Sequence, residues 1–106
     1  MAFSGTHISC GYSGPVHDKN HNVALLAECK WSQTMSAGGT TTNASPIEST
    51  VAGAPIFSII STVDIYFAIG TAPDATNGPR RFLQANTPID VFGLRSGGEY
   101  VAWIAA

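Results

Sequence analysis

Side chains with the donor chemistry of a metal site cluster in the first third of the chain, where Cys10, His17, His21 and Cys29 occur in that order. Thiolate and imidazole are zinc's preferred ligands. The spacing argues against a site, because neither cysteine has a partner two to four residues away. His17 and His21 would share a face only on a helix, and Gly14–Pro15 and Asn20–Asn22 oppose one there. These two and His7 read as solvated loop histidines, and no metal or cofactor is expected. Cys10 and Cys29 leave two readings open: a disulfide, within the chain or between subunits, and two free thiols in a reducing compartment.

The carboxylates of the C-terminal half are Asp64, Asp74, Asp90 and Glu99. Glycoside hydrolysis needs two of them facing across a pocket, whereas Asp74 and Glu99 fall in segments that read as exposed turns. Asp74 and Asn77 supply fewer oxygens than the roughly six to eight calcium takes. No serine sits in a Gly-x-Ser-x-Gly elbow, so no catalytic residue is assigned and the chain is expected not to be an enzyme. Arg80–Arg81, after Gly78–Pro79, reads as a clamp for a partner subunit's carboxylate or as a solvated pair. Trp31 and Trp103 offer rings for sugar stacking, although a Trp in an apolar run such as VAWIAA is usually core or interface.

The elements that would position these groups are strands. From Pro55 onward the chain alternates β-branched and aromatic runs with Gly, Pro, Asn and Asp, the signature of strands joined by turns. Strands are expected over Ile56–Ser61, Val63–Ile69, Ile89–Leu94 and Tyr100–Ala105, with a brief pairing at Arg81–Leu83. In the second, Val63, Ile65, Phe67 and Ile69 share a face by period-two alternation and should be core. Val23–Trp31, running on to Met35, is read as a strand, residues 37–46 as turn and loop, and Ile47–Val51 as a short edge strand. Residues 1–22 carry several glycines and few apolar side chains and are expected to form an extended N-terminal arm, with short extended pieces around Thr6–Tyr12, beside a sandwich domain over 23–106. Tyr100–Ala105 is apolar on both faces, so its second face needs a cover. The arm or a neighbouring subunit is expected to supply it.

Composition narrows the function further. The 106 residues make one domain. Charged residues are 11% of the chain, against about 25% in ordinary soluble domains, which suits a sheet protein covered by neighbours. A net charge of −2 with five Lys+Arg leaves little to neutralise a phosphate backbone, so no nucleic-acid partner is expected. No apolar run reaches the ~18 residues of a membrane-spanning helix, and MAFSGTHISC has neither the basic nor the apolar region of a secretory signal. The expectation is a protein made and kept in a cytoplasm, or released from one by lysis, with no membrane partner.

The C-terminal half also carries a likeness. A Phe67-Ala68-x-Gly70-x-x-Pro73-x-Ala75 strand and loop is followed by Ala85 and Pro88, and then by a closing Gly98, Val101, Ala102 and Ile104. This pattern resembles small β-sandwich structural proteins of tailed bacteriophages. Gln84 stands where that group often has proline, and residues 1–35 carry no part of the likeness. The resemblance implies a non-enzymatic virion component, most of all a capsid decoration or cement protein. A head–tail connector, collar or tail component is the alternative, and a small lectin-like carbohydrate-binding module is the alternative of another class.

The fold expected is an all-β, single-domain antiparallel β-sandwich, jelly-roll-like. Its partners would be copies of itself, a trimer among the arrangements, and the major capsid protein or another virion protein. Aromatics dominate interface centres, which makes Phe3, Tyr12, Trp31, Tyr66, Phe92, Tyr100 and Trp103 the interface candidates.

Overall fold

A computed structural model of the chain describes residues 4–12, 28–48 and 53–106. Eight strands follow in order: β1 (Thr6–Tyr12), β2 (Glu28–Met35), β3 (Gly39–Thr40), β4 (Pro55–Ser61), β5 (Ile65–Gly70), β6 (Arg81–Leu83), β7 (Ile89–Phe92) and β8 (Tyr100–Ala105). They form two four-stranded sheets, β2-β1-β4-β7 and β3-β8-β5-β6, and every pairing is antiparallel. The order is that of an eight-stranded jelly roll in which the strand that completes the first sheet comes at the start of the chain.

Period-two alternation explains the core. Ile8 and Cys10 of β1, Phe57 and Ile59 of β4, Ile65 and Phe67 of β5, Leu83 of β6 and Val101 and Trp103 of β8 all point between the sheets and are buried together. Trp31, Met35, Ile69, Ile89 and Val91 pack around them. Val63, expected on this face, lies in the bend before β5 and is 45% exposed.

The arm expected over residues 1–22 is corrected for residues 6–12. β1 pairs with β2 on one side and β4 on the other, so it is an inner strand. Its glycines and hydroxyls misled because they serve the lattice: Thr6 Oγ1 donates to Ser61 Oγ at 3.0 Å in a buried pair. Gly5, with φ 98°, brings its backbone so close to Met35 O that a Cβ would lie 2.1 Å from it. Phe3 and residues 13–27 lie outside the described residues, as do 49–52, which hold most of the expected edge strand Ile47–Val51.

Residues 39–40, expected as loop, pair with Trp103 and Ala102, and the chain stays fastened to β8 beyond them. Thr41 N donates to Val101 O and Ser45 N to Glu99 O. In return Val101 N donates to Thr41 Oγ1 at 3.1 Å and Glu99 N to Ser45 Oγ at 3.0 Å. Two hydroxyls thus stand in for carbonyls along an irregular edge. Glu99, expected in an exposed turn, is buried, and its Oε1 accepts from Leu94 N at 2.5 Å.

On the second face of β8 the chain itself covers Ala102. Ala75, in the loop after β5, is buried against Ala68 and Ala102, with Ile104 packed beside them. Asp74 shapes that loop by accepting from Thr76 N at 2.9 Å and Asn77 N at 3.0 Å. Those bonds, Asn77's first, hold its carboxyl below the usual carboxylate range.

Candidate functional site

The two flanks of the sandwich differ. On the β2/β3 flank the segment after β3 closes the opening: Trp31 Nε1 donates to Ala44 O at 2.9 Å, and Gln33 Oε1 accepts from Thr42 N at 3.0 Å. On the opposite flank, among the described residues, β6 pairs only with β5 and β7 only with β4. Between those two edge strands lies a cleft of about 310 Å³ lined by Phe67, Ile69, Val91 and Phe92 and rimmed by Pro79, Arg80 and Arg81.

The strand register sets the two arginines apart. Arg81 pairs with Phe67, so its side chain takes the inner face, with the guanidinium carbon 5.6 Å from the Phe67 ring centroid. Arg80 takes the outer face, stacked 3.9 Å over the Tyr66 ring and donating to Ala75 O at 3.0 Å and Thr76 O at 3.4 Å. Phe82 meets Tyr66 edge-on at 5.8 Å and is 54% exposed. An ion pair joins Arg95 to Glu48 at 3.3 Å.

A second apolar surface runs from Phe92 to the end of the molecule. Phe92 is 44%, Leu94 56% and Ile47 68% exposed. Glu48 N donates to Arg95 O and Gly97 N to Leu94 O, which brings the Ile47 and Leu94 segments side by side.

Of the interface candidates, Trp103 is corrected: it is 2% exposed, at the centre of the core, and its Nε1 donates to Met35 Sδ at 3.4 Å. Tyr12 is buried too, its hydroxyl donating to Ile47 O at 3.0 Å. Trp31 is half-buried, edge-on to Phe57 at 6.4 Å. Trp103, one of the two tryptophans offered for sugar stacking, is thus enclosed in the core. Tyr66 and Tyr100 are half-buried on the outer face of the second sheet, and Phe92 is exposed. Phe82, Leu94 and Ile47 were missed. Phe82 could have been found from its alternation with buried Leu83, and Ile47 from its place after Pro46.

Cys10 and Cys29 are free thiols, the first buried and the second exposed. Burial pushes the Cys10 thiol up to about 12, partly offset by a backbone hydrogen bond at Gly11. Across β1 and β2 His7 Nδ1 lies 2.7 Å from Thr34 Oγ1 and its Nε2 3.3 Å from Ser9 Oγ. Asp64 Oδ1 accepts from Ala85 N at 2.8 Å, a turn-fixing role. Among the described residues no group of three or more His, Cys, Asp or Glu is placed to hold a metal, and no helix is long and apolar enough to cross a membrane. His17 and His21 lie outside the described residues. Compared with family profiles, with curated proteins and with solved structures, the chain matches none.

Proposed function

We propose that the chain is a non-enzymatic structural protein of a tailed-bacteriophage virion, assembling with copies of itself and with the shell as a decoration protein. One observation carries this reading. The β6/β7 flank and the adjoining end expose Phe82, Phe92, Leu94 and Ile47 in a chain with few charges to keep such surface apart. Exposed apolar area beside free strand edges is the usual mark of a surface that another chain covers. The sequence likeness to phage β-sandwich proteins supplies the setting, and the jelly-roll architecture is one that capsid domains use, which is support by analogy only. A neck or tail location would use the same surfaces.

Sedimentation of the purified chain over a wide concentration range tests self-assembly, and immunogold labelling of particles from lysates of cells carrying the gene tests the setting. Concentration-dependent oligomers and regularly labelled heads are expected. A chain that stays monomeric throughout and labels no particle would sink the proposal.

A further inference from the structure

We infer that the cleft between β6 and β7 receives an extended, acidic segment of a partner protein, seating an apolar side chain between the sheets and a carboxylate on Arg81. This rests on the assembly reading above and adds the chemistry of the partner.

The occupant follows from three properties of the cleft. Its walls, Phe67, Ile69 and Val91, are apolar and its volume of about 310 Å³ is at the low end of ligand sites, enough for one or two side chains and too little for a folded element. Its two rims are strands that, among the described residues, are paired on one side only, and a free edge binds extended backbone by adding a strand. Its charge is wholly basic among the lining residues: Arg81 turns its guanidinium inward beside the Phe67 ring, and Arg80 is fixed at the lip by neutral carbonyls and the Tyr66 face. A guanidinium at the mouth of an apolar slot matches a carboxylate that follows an apolar residue in an extended chain.

Inward charge on an edge strand has another use, to repel strand addition by other copies. The two roles predict opposite results. In the test, the full-length chain is titrated into a fluorescent peptide of alternating valine and aspartate, and separately into its valine–lysine counterpart, with sedimentation run in parallel. Saturable binding of the aspartate peptide alone is expected, weakening as salt is raised, with backbone amide shifts confined to β6 and β7. Arg81→Gln should weaken it about tenfold with unchanged melting, and Val91→Glu should abolish it. Should Arg81→Gln not fold, the salt dependence and the position of the amide shifts in the unaltered chain decide the matter.

Equal binding of both peptides, no saturable binding, or an Arg81→Gln protein whose peptide affinity is unchanged while its self-association rises would each overturn the inference. Failure of the virion reading is distinguishable. A chain that binds the aspartate peptide and labels no particle keeps the cleft and loses the virion, and one that labels particles and ignores the peptide does the reverse.

Discussion

At the scale of single residues, the two thiols show how a sheet assigns opposite environments to one residue type. Gly11 pairs with Cys29 and Cys10 with Trp31, across a register shift between Cys10 and Gly11. Cys10 turns into the core and Cys29 to solvent. A thiol raised to about 12 stays protonated where the unfolded thiol ionises, so its contribution to stability is intact below the ordinary thiol range of about 8.5. That contribution is lost progressively as pH climbs from there toward 12. Urea midpoints measured from neutral to strongly alkaline pH should fall through that window, and the Cys10-linked part of the fall should vanish in Cys10→Ala. Native-state alkylation at mildly alkaline pH should modify Cys29 and spare Cys10. Rapid modification of both would remove Cys10 from the core. None of this was legible beforehand, since the sequence offers the two cysteines as equals and only the register separates them.

Elements divide by how far local pattern determines them. β4, β5 and β8 were readable from Ile56–Ser61, Val63–Ile69 and Tyr100–Ala105 because alternation, β-branched content and turn residues agree there, although β5 starts only at Ile65. β1 was legible only as a short extended piece within an arm, because Ser9 and Gly11 have weak strand signals of their own, and the strand is fixed by neighbours on both sides. β3 and its continuation escaped for a related reason: Thr41 and Ser45 read as loop residues, yet their hydroxyls are buried acceptors for Val101 N and Glu99 N. Thr41→Val and Ser45→Ala should each strand a buried N–H, at a cost of about 1–3 kcal/mol. Denaturant unfolding would read the loss, and amide exchange at Val101 and Glu99 should quicken first. A neutral Thr41→Val would mean that water satisfies Val101 N and that the hydroxyl does not hold this edge.

For the molecule as a whole, the asymmetry between the flanks governs what it can assemble with. One flank is closed by the chain's own segment after β3, through Trp31 and Gln33, and the other keeps a cleft, exposed Phe82 and Phe92 and, among the described residues, two strand edges without a further strand partner. The cleft was half legible: the Arg80–Arg81 pair invited a carboxylate clamp, but the split of the two side chains to opposite faces comes from strand register. The adjoining Ile47 and Leu94 surface makes the assembly reading testable without a particle. Both side chains are more than half exposed, so exchanging them for serine should move stability by no more than about 0.5 kcal/mol each, whereas a subunit contact centred on them would lose two of its anchors. Ile47→Ser with Leu94→Ser is therefore expected to shift the sedimentation profile toward monomer at concentrations where the unaltered chain associates, with the thermal midpoint nearly unchanged. If the double variant associates as strongly as the parent, subunits meet elsewhere, and the β6/β7 edges become the surface to alter next. If it instead unfolds, these side chains belong to the fold and not to a contact between chains.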